Sequence, residues 1–71
     1  MTKFEIVIHK PHTVVTRYGN NAGDINERIY DTLTNHGVNE ELAMDCACWC
    51  ELADYGESYN ENDFDVYVTE A

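Results

Sequence analysis

Two short segments near the ends of the chain alternate apolar and polar residues with a strict period of two. Phe4, Ile6 and Ile8 point one way while Glu5, Val7 and His9 point the other; Phe64, Val66 and Val68 likewise oppose Asp65, Tyr67 and Thr69. Period two is the pattern of a strand with one buried face. Such faces must be covered, and the residues between the two segments have to supply the cover. A chain of 71 residues has room for one domain, residues 1–71, and buries only about 60% of its unfolded surface.

The intervening residues supply a third strand and two helices. Lys10-Pro11-His12 breaks the first alternation, because proline fixes φ and lacks a donor. Thr13 to Tyr18 is β-branched and reads as a strand that returns by a hairpin. Gly19 to Gly23 is a loop by composition. Asp24 is expected to cap a first helix, with Glu27 three residues on as its capping-box partner. Ile25, Ile29 and Leu33 form that helix's buried stripe, and His36-Gly37 ends it.

Asn39 caps a second helix whose first turn carries Glu40 and Glu41, where the helix dipole favours acids. Leu42, Cys46, Trp49 and Ala53 line one face. Ala43, Ala47 and Cys50 widen it, and Met44, Cys48 and Leu52 lie towards the back. A helix apolar nearly all round is central, and it offers a surface for self-association as a homodimer. Tyr55-Gly56 is its expected end, followed by an acidic loop from Glu57 to Asp63. The expectation is an α+β fold: a small antiparallel sheet, order β-β-α-α-β, with both helices packed on one face. The last strand is placed beside the first.

No constellation of residues points to catalysis. Cys46, Cys48 and Cys50 are too crowded and odd in number for a disulfide framework, which suits a reducing, cytoplasmic setting. A helical C-x-C-x-C run cannot aim three sulfurs at one zinc, even with His9, His12 or His36 nearby. Buried thiols acting as small apolar side chains are the simpler reading. Asn60 to Asp65 lacks the ligand pattern of a calcium loop, and no glycine loop cradles phosphate. The chain therefore reads as a non-enzymatic protein with no metal or other cofactor. No apolar run approaches the roughly 18 residues of a membrane span, and the first residues lack a signal peptide's apolar region.

Charge is the unusual quantity. Fourteen acids face four bases, for a net charge of −10. Residues 1–30 hold all four bases, Lys3, Lys10, Arg17 and Arg28, against three acids, while residues 31–71 hold eleven acids and no Lys or Arg. Binding of nucleic acid or anionic membrane relies on cations, so this chain is repelled by both. A basic protein partner would be attracted. The acids are interleaved with tyrosines, which are enriched at interfaces. Glu51, Asp54, Tyr55, Glu57 and Tyr59 mark the end of the second helix and its exit. Glu61, Asp63, Asp65 and Tyr67 share one parity, which on a single extended strand spaces them about 6.6 Å apart. Two phosphate steps along one DNA strand cover a similar length, at about 3.4 Å each.

In size, charge and lack of a catalytic motif, with Glu51 to Asp65 as its best stretch, the chain resembles the small acidic inhibitors of host defence encoded by phages and mobile elements. Anti-CRISPR and anti-restriction proteins are examples, and several of them imitate DNA. The resemblance implies a basic nucleic-acid-binding protein as partner, such as a guide-RNA-bound nuclease or a restriction complex. Such a partner is blocked stoichiometrically where DNA would enter, in the host cytoplasm.

Overall fold

A computed structural model describes all residues 1–71. The order is β1 (Thr2–Ile8), β2 (Thr13–Gly19), α1 (Ala22–Asn35), α2 (Glu40–Leu52), β3 (Ser58–Asn60) and β4 (Phe64–Glu70). The strands form one antiparallel sheet in the order β2-β1-β4-β3. The expected α+β fold is present, with the last strand beside the first and both helices on one face. One strand was not anticipated: β3 lies inside the stretch read as an acidic loop. Its three residues, Ser58-Tyr59-Asn60, have one inward side chain, too few to show a period.

The two alternating segments meet in register. Phe4 pairs with Val68, Ile6 with Val66 and Ile8 with Phe64, and all six are buried against the helices. From α1 come Ile25, Ile29, Thr32 and Leu33, and from α2 come Ala43, Cys46, Ala47 and Cys50. Small residues on α2 let α1 pack closely against it. Buried Thr32 is satisfied by Arg17, whose Nε donates to its Oγ1 at 3.1 Å. That bond also ties α1 to β2. The other face of the sheet carries no helix.

Helix ends follow from local chemistry. Asn39 caps α2 as expected, its Oδ1 accepting from the amides of Glu41 (2.9 Å) and Leu42 (3.3 Å). The cap of α1 is corrected from Asp24 to Asn21, whose Oδ1 accepts from the Asp24 amide at 3.0 Å. Asn and Asp cap equally well, so the earlier of the two wins, and Gly23 is tolerated in the first turn. The end of α1 is a Schellman motif: Val38 N–H donates to Leu33 O (3.0 Å) and Gly37 N–H to Thr34 O (3.1 Å). Gly37 takes φ of +86°, and Val38 is buried beside the helix it terminates. Helix α2 stops at Leu52, three residues before the expected Tyr55, because Ala53 turns extended (ψ 142°). Neither helix is long and apolar enough to cross a membrane.

Candidate functional site: an acidic flank

Folding turns the charge asymmetry of the sequence into an asymmetry in space. Residues 1–35 form β1, β2 and α1 and hold four bases and four acids; residues 36–71 hold ten acids and no base. Helix α1 packs over β2, the outer strand on one side. Helix α2 packs over the other side, where Trp49 meets Tyr59 of β3 with ring centroids 5.4 Å apart. The elements α2, β3 and β4, which build one flank of the molecule, therefore carry no Lys or Arg of their own, and Lys10 between β1 and β2 reaches the cleft beside Asp63.

The acids of this flank fall into separate groups. Asp54, Tyr55 and Glu57 are exposed at the exit of α2. The Glu57 carboxylate accepts from the Asp54 amide at 2.8 Å, and Glu57 O accepts from Val68 N–H at 3.0 Å. These bonds hold the exit against the far end of β4. Asp63 is exposed in the β3–β4 turn, and its neighbour Phe64 lies four residues from Val68, or about 13 Å along the strand. The half-buried Glu51 carboxylate accepts from Asn26 Nδ2 of α1 at 2.7 Å, so part of its charge is spent inside the fold.

The expected single row of Glu61, Asp63 and Asp65 is corrected. A turn closes between them, with Glu61 N–H donating to Phe64 O at 2.9 Å. Glu61 thus continues the parity of Tyr59 on the helix side, while Asp65 and Tyr67 face the open side of the sheet. Only Asp65 and Tyr67 keep strand spacing. Shared parity means a shared face only on one continuous strand, and here the chain reverses between Glu61 and Phe64. Tyr59 is also largely a packing residue: its ring stacks on Phe64 at 6.1 Å and 13° and is half-buried. Burial pushes its phenol pKa upward, and the neighbouring acids Glu61 and Asp45 add to that. Tyr67 is exposed, as expected of a surface tyrosine.

Asp45 on the flank and His9 beside it were not among the site residues expected from sequence. Asp45 lies on α2 near Tyr59, where its charge is felt by the phenol. The helical position one turn before Trp49 was the available signal. His9 is the second. Its Nε2 lies 2.8 Å from Asp65 Oδ2, its Nδ1 lies 2.8 Å from Asn62 O, and its backbone N–H donates to Asp63 O at 3.0 Å. A carbonyl and a carboxylate can only accept, so a protonated ring satisfies both. The Asp65 hydrogen bond, then the Asn62 carbonyl, raise the His9 pKa above 6.5. Nothing in the one-dimensional pattern placed His9 opposite this turn, because the register of β1 on β4 was not known.

The thiols divide by burial. Cys46 and Cys50 are buried and Cys48 is exposed. The Cys46 thiol pKa is pushed up by hydrogen bonding with the neighbouring free thiol of Cys50 and by burial. No three His, Cys, Asp or Glu side chains converge as a metal-holding group. Two shallow clefts exist, about 110 Å³ beside Lys10, His36 and Asp63 and about 190 Å³ beside Thr2, Asp54 and Tyr55. Both are small beside the roughly 300–1,000 Å³ of ligand pockets. What the arrangement offers is an exterior: rigidly mounted carboxylates and tyrosines. Compared with protein-family models, curated proteins and solved structures, the chain matches none.

Proposed function

We propose that the chain is a non-enzymatic acidic binding protein that docks the α2–β3–β4 flank on a basic, nucleic-acid-binding protein and keeps nucleic acid out of its site. The observation that carries this reading is the segregation of charge, ten acids and no Lys or Arg in residues 36–71, all on one flank. Such a field steers a cationic partner and repels DNA, RNA and anionic lipid. Exposed Tyr55 and Tyr67 add contact area around the carboxylates.

The test is capture of a nucleic-acid-binding protein from a bacterial lysate at low salt, followed by displacement with duplex DNA. Reversal of three exposed or flank-facing acids, Asp45→Lys, Asp54→Lys and Asp63→Lys, is expected to abolish capture while the circular dichroism spectrum is unchanged. Capture that persists in this variant, or that DNA does not displace, overturns the reading.

A further inference from the structure

The opposite edge of the sheet, β2, pairs only with β1. Its free backbone groups are identified by the ladder. His9 N–H donates to Asp63 O and Ala71 N–H to Met1 O, so odd-numbered residues of β1 turn their backbone groups towards β4. Even-numbered ones turn towards β2, where they meet Thr13, Val15, Arg17 and Gly19. Val14, Thr16 and Tyr18 are left with N–H and C=O pointing out of the sheet. Consistent with this, the Thr16 carbonyl accepts from the Arg17 guanidinium at 2.9 Å. A carbonyl has two lone pairs and can accept once more.

The same three residues aim their side chains at the uncovered face of the sheet, and Val14 (51%) and Tyr18 (46%) are among the exposed large apolar side chains. The free edge is seven residues long, against three for β3. No proline, acid or lysine guards it. Long unguarded edges are templates for another strand.

We propose that β2 pairs antiparallel with β2 of a second copy of this chain, about a two-fold axis at Thr16. Thr16 then meets Thr16, and Val14 meets Tyr18 on either side, each pair exchanging two backbone hydrogen bonds. A β-branched residue opposite an aromatic one is a favourable cross-strand pair, as is threonine opposite threonine. The strand is thus complementary to itself. Charge selects the same occupant. β2 is the strand farthest from β3, and the half of the chain around it is neutral. Two copies joined here keep their acidic flanks at the outer ends of one continuous eight-stranded sheet, twice the four of one chain. This inference is independent of what the acidic flank binds.

Sedimentation over a wide concentration series is expected to show a species of twice the 8.1 kDa chain mass, strengthened by added salt. In Thr16→Pro the lost N–H is one that faces the edge, so the β1 ladder survives and the dimer is lost. Val14→Lys with Tyr18→Lys is expected to do the same by repulsion. Leu52→Asp on α2 is expected to leave the dimer intact. In the unaltered protein, amide exchange at Val14, Thr16 and Tyr18 slows as concentration rises, which needs no variant to fold. A monomer at every concentration overturns the proposal. So do edge variants that dimerise like the parent, dissociation by Leu52→Asp alone, or edge amides indifferent to concentration.

Discussion

His9 joins two hairpins that the chain builds at opposite ends of its sequence. Its imidazolium bridges the Asp65 carboxylate and the Asn62 carbonyl. The folded-state pKa lies above the unfolded value of 6.5, so the proton is held more tightly in the native state. The stabilisation is therefore fully present below pH 6.5 and is lost as pH rises through the folded pKa. The melting temperature of the parent minus that of His9→Gln is expected to be largest on the acid side. It should shrink across the pKa that NMR titration of the ring reports. A difference that does not vary with pH would show that the ring acts only through packing. The cysteines give a second prediction at this scale. With the native protein, a thiol reagent is expected to modify Cys48 alone, and all three cysteines in denaturant. Rapid native labelling of Cys46 or Cys50 contradicts the packing described here. The cysteines' character was legible, because helical spacing puts Cys46 and Cys50 on the broad apolar face. The His9 bridge was not, because it depends on which residues two distant strands bring opposite one another.

Elements were legible where several local signals agreed. Helix α2 begins where Asn39 and its two following acids say it should, and α1 ends where Gly37 can turn left-handed. Gly37→Ala is expected to cost about 1–2 kcal/mol in denaturant unfolding, since its φ is +86° and alanine pays for the left-handed region. Gly19 tests a tertiary signal instead. Composition alone makes it loop, yet it ends β2 and is buried, and a Cβ there would collide with Cγ1 of Ile25 near the start of α1. Ile25 is buried in the core, so its Cγ1 has little room to move aside. Gly19→Ala is therefore expected to cost about 1–3 kcal/mol by overpacking. No loss of stability on this change would mean that α1 slides freely over β2. The strand β3 shows the limit of local reading. It pairs only because β4 offers Val66 and its neighbours an outer partner, with Trp49 and Phe64 gripping Tyr59 from either side.

The whole molecule measures 28 × 19 × 15 Å, and this sets how its charges interact. At about 0.01 M salt the Debye length is about 30 Å, so every acid of the flank feels every other. At about 1 M it is about 3 Å, and only touching groups interact. Two pairs work in the opposite sense, Lys3 with Glu5 at 3.6 Å and His9 with Asp65 at 2.8 Å. Lys3–Glu5 is solvated on the open face, and exposed pairs of that kind contribute about 0–1 kcal/mol. The nine other acids of residues 36–71 outweigh these two pairs. The melting temperature is expected to rise with added sodium chloride, steeply below about 0.1 M and then level as the Debye length falls below the spacing between acidic groups. The size of the imbalance could be counted from sequence, but its confinement to one flank follows from the strand order β2-β1-β4-β3, which puts the base-free half on one side. Asp54→Asn with Asp63→Asn should flatten the salt dependence, because each removes an exposed charge at one end of β4. A melting temperature that falls with salt would show that attraction, not repulsion, dominates the fold's electrostatics, and a slope unchanged by these substitutions would place the repulsion on other residues.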